Sequence, residues 1–300
     1  MALNLFLIKK WTNMLLGKSS YHVNQNEGLI YSVEGLEGYY NNLTEKITRF
    51  GMPGTEIPIT SDGDGKMRHF SIAIFQYGLA ANDLYLQTKD KSMLERMSNC
   101  VAWALDNQQE NGAWDTFGSR NRQYPYSSMA QGEAISLLVR YAKYGRTQEC
   151  LSAAKKAYDF LLMPREKGGV ADYKGNRLFL YEFTYKPLVL NGWIFSAWGL
   201  LDYYKATGDE RAKEAWLMTS KTMADSLSGF DRKFWSNYNM AQAITSSFYH
   251  KLHIAQLNVM YALTGIDTFN VYAKRWEHYQ ESSMNKFRAF LIKAVQKLKE

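Results

Sequence analysis

The stretch that decides the fold runs from His69 to Trp114, HFSIAIFQYGLAANDLYLQTKDKSMLERMSNCVAWALDNQQENGAW. From His69 onward apolar residues recur three and four positions apart, the spacing of one helix face, which predicts helices over 69–86 and 91–108. A loop, Asn111-Gly112-Ala113-Trp114, follows the second of them. The unit then recurs. Further helices are predicted near 127–143, 147–163, 189–206, 210–228, 250–264 and 267–298, with Gly, Asn or Pro stops between them. The loop from Ser228-Gly229-Phe230 to Trp235 stands in the later pairs where the first Gly/Trp loop stood. Paired helices with equivalent loops on one face predict a mainly α fold, an α/α-barrel: an incomplete toroid of helical hairpins whose inner helices line a bowl and whose loops form its mouth.

Upstream of this pattern the chain reads differently. Leu29-Ile30-Tyr31-Ser32-Val33 predicts a short strand, and Gly35, Gly38, Gly51, Pro53 and Gly54 punctuate turns and hairpin-like pieces, with no helix expected between 19 and 65. Residues 1–65 are therefore expected to form an N-terminal helix and a β-hairpin/loop region on the barrel mouth, and 66–300 the barrel. Asp62-Gly63-Asp64-Gly65-Lys66 reads as a turn, because a calcium loop needs a carboxylate at its far end and none stands there. The first eighteen residues, MALNLFLIKKWTNMLLGK, are interrupted by Lys9 and Lys10, which argues against a signal peptide or a membrane span. They fit either a helix on the protein's own core or an amphipathic helix on a membrane surface, so the expected location is cytoplasmic or peripheral to the inner membrane.

Composition narrows the partners. Thirty-six basic and twenty-nine acidic side chains leave a charge of +7, which favours an anionic partner. The basic residues are dispersed, without the clustered pattern of a nucleic-acid module. Cys100 and Cys150 fall in helical patterns without ligand spacing and read as buried thiols, so no metal site is expected. Aromatic residues make up 15% of the chain, with 21 tyrosines. Their flat apolar faces and polar tips suit sugar rings, and with the basic balance they point to an acidic carbohydrate.

Motifs for serine hydrolases, zinc peptidases, phosphate loops and dinucleotide folds are missing from the sequence. What remains is polar and aromatic. The stretch Trp235–Leu257, WSNYNMAQAITSSFYHKLHIAQL, carries many groups that would each cost about 1–3 kcal/mol if buried without a hydrogen bond. It reads either as the rim of a polar pocket or as a solvated loop. Glu182, Tyr124, Tyr126, Gln131 and Asn191, together with Tyr238, Tyr249, His250 and His253 of that stretch, are the polar candidates near the predicted mouth.

Several of these residues stand in recognisable motifs. Tyr126 to Arg140, YSSMAQGEAISLLVR, resembles a motif of the D-glucuronyl C5-epimerases. In the same order, Asn111–Trp114, Tyr181-Glu182-Phe183, Val189-Leu190-Asn191-Gly192, Tyr249-His250, His253–Leu257 and Lys274-Arg275-Trp276 are similar to further elements of that family. The resemblance covers roughly 70 to 280. It implies an α/α-barrel domain that inverts C5 of glucuronate within a polymer to give iduronate, without a cofactor.

It further implies that Glu182 and Tyr249 handle the two protons, that Tyr238 supports them, and that Tyr39 or Tyr40 reaches over the bowl as a third hydroxyl. Trp114, Tyr126, Gln131, Asn191, His250, His253 and Arg275 would contact substrate, the histidines more as orienting groups than as titrating ones. The expected partner is an anionic uronate-containing polysaccharide of heparosan or bacterial surface-polymer type, and a homodimer is compatible with the sequence. Calcium sites tied to the β-sandwich of animal members are not expected.

The reaction itself sets requirements. The C5 hydrogen lies α to a carboxylate, so its removal needs a base, an acid on the opposite ring face, and a cation or donors for the developing dianion. A tyrosine serving as base would need its pKa lowered from about 10. Phe183 stands where the family carries a tyrosine, and Asn239-Met240-Ala241 where animal members carry Asp-Leu-Arg, which removes a cation. Arg68, Lys66 or Arg122 is expected to replace it. A toroid-type polysaccharide lyase, which shares the first proton abstraction, and a non-catalytic binder of uronate polymers are the alternative readings.

Overall fold

The computed structural model of the 300-residue chain describes residues 23, 25–49, 54, 56–61 and 66–298. Every helix expected from residue 69 onward is present. They are α2 (Ser71–Thr88), α3 (Lys91–Asn107), α4 (Ser128–Tyr141), α5 (Thr147–Leu161), α6 (Leu190–Thr207), α7 (Glu210–Ser226), α8 (Ser247–Thr264) and α9 (Asp267–Glu281). The last predicted helix is two. Ser282 is extended and its Oγ accepts from the Asn285 amide, so α10 (Ser283–Leu298) starts anew.

Helix α2 packs on α4, α4 on α6 and α6 on α8, while α3, α5, α7 and α9 lie against them from outside. The sequence separates the two layers. All fourteen residues of α4 are buried, as an inner helix covered on every side requires, whereas α3 and α5 bury one stripe only. Three inner-to-outer turns share one chemistry. Thr88, Thr207 and Thr264 each donate a hydroxyl to the carbonyl four residues back and accept from the amide two residues on. Between the threonine and that amide stands a residue of positive φ: Lys89 at 60°, Gly208 at 70° and Gly265 at 67°. The return is thus set by a threonine and a left-handed residue, which glycine adopts without strain.

Residues 25–43 run across the C-terminal ends of the inner helices and tie to all four. Asp83 accepts from the Tyr39 amide and Asn82 donates to the Glu37 carbonyl on α2, while Arg140 of α4 donates to the Gly38 carbonyl. Asp202 accepts from the Tyr40 hydroxyl, Lys205 donates to the Ser32 and Gly35 carbonyls on α6, and Asn258 of α8 donates to Glu27. This segment closes one end of the barrel.

Three local expectations change. Leu29–Val33 is no strand, because Ser32 Oγ accepts from the Glu34 and Gly35 amides and turns the chain instead. A one-turn helix, α1 (Glu45–Thr48), occupies a region where none was expected. A two-stranded hairpin, β3 (Ala171–Lys174) and β4 (Arg177–Leu180), precedes α6, and a shorter one, β1 (Thr60–Ser61) and β2 (Met67–Arg68), precedes α2. The expectations for residues 1–18 and for the turn at 62–65 lie outside the described residues. Among the described residues no helix is long and apolar enough to cross a membrane.

Candidate active site

A cavity of about 720 Å³ opens where the inner helices begin. Its walls include Ile72, Ala73 and Gln76 of α2, Met129 of α4, Asn191 and Phe195 of α6, and Phe248, Tyr249 and Leu252 of α8. The positive ends of four helix dipoles therefore surround it, which favours an anionic occupant. Loops from the outer helices complete the mouth with Phe117, Arg120, Glu182, Phe183 and Tyr238.

Glu182 is placed by the second hairpin. Leu178 of β4 accepts a bond from Thr219 and donates one to Thr222 on α7, and the Tyr181 carbonyl then accepts from the Ser128 amide at the start of α4. The Arg165 guanidinium sits 4.1 Å over the Tyr181 ring and donates to the Thr184 carbonyl. These contacts aim the Glu182 carboxyl at the first turn of α6, where a Cβ on Gly192 would lie 2.4 Å from its Oε2. Glycine is needed here for close approach. Burial pushes the Glu182 carboxyl up to about 8, with the Lys186 charge pulling the other way, and Oε2 has no hydrogen-bond partner among the described residues.

Gly192→Ala is expected to lower turnover about 10- to 100-fold by displacing this carboxyl, and to lower the melting temperature too, because the added Cβ would also lie 2.7 Å from the Glu182 Cβ. Wild-type turnover in this variant would remove Glu182 from the chemistry.

Tyr238 is fixed from the other side. Its carbonyl accepts from the Leu190 amide and its amide donates to the Ala243 carbonyl, so the Asn239–Gln242 turn is anchored on the start of α6. The Tyr238 and Tyr249 rings meet edge to face at 5.0 Å, and their hydroxyls are hydrogen-bonded to each other. Tyr249 itself lies in the first turn of α8, which Ser246 caps by accepting from its amide. Burial and the neighbouring Glu182 raise both phenols above the usual tyrosine range. A lowered tyrosine pKa, which a tyrosine base would need, is not what this pocket supplies.

Other predicted residues are elsewhere. Tyr39 and Tyr40 do not reach over the bowl: both are fully buried at the closed end, packed on Trp198. Trp114 is core, against Phe75, with its indole N–H given to the Ala104 carbonyl. Tyr126 bonds Gln109 and Asn111 beside the mouth, and Tyr124 stacks on Tyr185 at the surface. Gln131 is buried within α4, outside the cavity lining.

The histidines are structural. His250 accepts from the Ser236 amide, stacks at 3.7 Å on Trp235 and donates to the Trp276 carbonyl, and burial lowers it to about 3. His253, buried against Trp276, is also lowered to about 3. Arg275 pairs with Asp231 on the outer layer. Arg68, Lys66 and Arg122 do not line the cavity; Arg68 sits in β2, and the other two are exposed.

Sequence reasoning missed Lys46, Gln76 and Glu133. Gln76 donates to Glu133 Oε1 at 2.7 Å, and burial raises the Glu133 carboxyl well above its ordinary value. Lys46 of α1 lines the cavity near Glu133. The signal for Gln76 and Glu133 was a polar side chain inside an inner helix. For Lys46 there was none, because its segment was read as loop. Cys100 and Cys150 are buried free thiols, as expected. Among the described residues no three His, Cys, Asp or Glu side chains converge as metal ligands.

Comparison with known proteins follows the same outline. The profile of one family, described as D-glucuronyl C5-epimerase C-terminus, matches residues 107–278. A D-glucuronyl C5-epimerase of Caenorhabditis elegans is 32% identical over 111 residues, covering 33% of this chain and 18% of that protein. An uncharacterised protein of Methanocaldococcus jannaschii is 26% identical over 170 residues, 52% of this chain and 55% of that protein. The chain thus spans 18% and 55% of the lengths of these curated relatives. The structure of cellobiose 2-epimerase from Bacillus thermoamylovorans superposes with a TM-score of 0.53 at 13% identity, covering 93% of this chain and 73% of that one. That likeness establishes the shared α/α-barrel fold.

Proposed function

From the premise that this chain belongs to the D-glucuronyl C5-epimerase C-terminal family, we propose that it inverts C5 of glucuronate residues within an anionic polysaccharide. The observation that carries the reading is the meeting of Glu182, Tyr238 and Tyr249 in one cavity beneath the inner helix N-termini.

The pKa directions assign the roles. Glu182, at about 8, ionises far more readily than either raised phenol, so the accessible pair near neutral pH is a carboxylate base and a neutral tyrosine acid. Glu182 takes the C5 proton, and the C–H electron pair moves into the C5–C6 bond to give an enediolate. Tyr249 delivers its phenolic proton to the opposite face of C5, and the pair returns to form the inverted carboxylate. Glu182 ends protonated and Tyr249 ends as a phenolate that accepts the Tyr238 hydrogen bond. Proton exchange with water resets both.

Incubating unsulfated glucuronate polymers in deuterated water tests this. Deuterium is expected at C5 with chain length unchanged. Shortened chains ending in an unsaturated uronate would establish a lyase instead, and binding without C5 exchange a carbohydrate-binding protein. Since the base is an ionised Glu182, the exchange efficiency at low substrate rises about tenfold per pH unit on the way up to pH 8. A rate already flat below pH 8 would make Glu182 the acid.

A further inference from the structure

We propose that Lys46 is the cation that receives the carboxylate of the substrate uronate. The proposal rests on the uronate reading above and names the group that gives the pocket its selectivity for a charged sugar.

The cavity requires such a group, because proton removal from C5 leaves a second negative charge beside the carboxylate. The turn at Asn239-Met240-Ala241 carries no cation. Among the described residues, the basic side chains lining the cavity are Lys46 and Arg120. Arg120 is exposed at the mouth, with its guanidinium 5.8 Å over the Phe70 ring, in a position that water screens. Lys46 is deep in the protein and accessible only in part. Its ammonium makes no ion pair or hydrogen bond with the described residues. The acid near it, Glu133, is held towards its neutral form by burial and is engaged by Gln76.

An ammonium group enclosed by protein and without an ion-pair partner among the described residues is costly, and burial lowers Lys46 to about 8 against the opposing pull of Glu133. A carboxylate entering the cavity removes that cost. The sugar hydroxymethyl of a neutral hexose does not. Lys46 is also held in place from below, since α1 follows directly on the segment that closes the barrel floor, where Leu43 is fully buried.

The test measures binding and therefore does not depend on turnover. An unsulfated oligosaccharide of alternating glucuronate and N-acetylglucosamine is titrated against its counterpart with every carboxyl reduced to an alcohol. Wild-type protein is expected to prefer the carboxylate form at least tenfold. Lys46→Met should lose at least tenfold in affinity for that form, keep its affinity for the reduced form and melt no lower, while Lys46→Arg keeps most of the preference.

Three results overturn the proposal: wild-type protein that does not distinguish the two oligosaccharides, Lys46→Met that retains the preference, or a variant that loses both ligands alike. Should Lys46→Met fail to fold, Lys46→Gln is read in the same way, and an unchanged preference there is also decisive. If the preference depends on Lys46 but C5 never exchanges, the carboxylate site stands and the epimerase reading falls. If C5 exchanges and the preference ignores Lys46, the reverse holds.

Discussion

Glu182→Gln is expected to reduce C5 exchange about a thousandfold, the larger part of what a positioned general base contributes, without loss of the fold. Glutamine keeps the size of the side chain and its contact with Gly192 but cannot take a proton. Tyr249→Phe should give a comparable loss of inversion for the complementary reason, since it removes the acid and leaves the base. The two are expected to differ in one readout. With Tyr249→Phe, Glu182 still removes the C5 proton, so slow washing of deuterium into glucuronate without inversion remains, whereas Glu182→Gln loses both. Wild-type exchange in both variants would place the chemistry elsewhere.

Stability provides an independent control. The folded protein holds the Glu182 proton up to about pH 8, while the unfolded chain releases it near the ordinary carboxyl value. Below that ordinary value the group is neutral in both states and exacts nothing. As the pH rises from there towards 8 only the unfolded chain ionises, and the equilibrium is drawn towards unfolding. Glu182→Gln has no such proton to release, so it should melt at or above wild type at pH 8 and show less change at pH 5. A variant that melts well below wild type at both values would make its loss of exchange a folding defect.

The helical layer order was legible because it rests on local signals: apolar spacing for the helices and stops for their ends. The single buried stripe of α3 is readable from the same letters, whereas burial around the whole of α4 is not, because Gln131, Glu133 and Arg140 are polar. The Thr-x-Asp of Thr88-Lys89-Asp90 and Thr207-Gly208-Asp209 was equally readable and is the repeat that marks the inner-to-outer turns. So was Gly175-Asn176, a hairpin turn between two short strand runs, which places Glu182. What could not be read was contact across the chain. Tyr39 and Tyr40 carry the same letters whether they cap a bowl or fill its floor, and only the bonds to Asp83 and Asp202 decide. Trp114 and His250 stand in motifs that resemble a catalytic family, yet their geometry is that of core packing. Lys46 reaches the site from a segment with no helical pattern, so its place followed from tertiary structure alone.

Loss of the Asp202 charge is expected to be the most destabilising single change in the barrel, at about 3–5 kcal/mol for Asp202→Asn, because it leaves a buried guanidinium unpaired. Arg140 lies 1% exposed and Asp202 is fully buried, and the two form an ion pair in which Asp202 also accepts from the Tyr40 hydroxyl at 2.7 Å. Arginine does not shed its proton to escape the cost. Partial relief comes from Asp83, whose carboxyl burial raises to about 7 against the pull of the Tyr39 amide and the Arg140 charge. Above that value Asp83 is ionised and serves as a substitute counter-ion; below it Asp83 is neutral and does not. The deficit of Asp202→Asn, read by urea denaturation, should therefore be larger at pH 5.5 than at pH 8. Adding Arg140→Met should restore much of the loss, since an apolar pair replaces the orphaned charge. A deficit under about 1 kcal/mol, the range of exposed pairs, would mean that water reaches this pair. The functional consequence reaches the other end of the barrel. Arg140 and Asp202 hold Gly38 and Tyr40, the segment that leads into Lys46, so Asp202→Asn should also weaken the preference for the carboxylate oligosaccharide while leaving the Glu182 and Tyr249 side chains untouched.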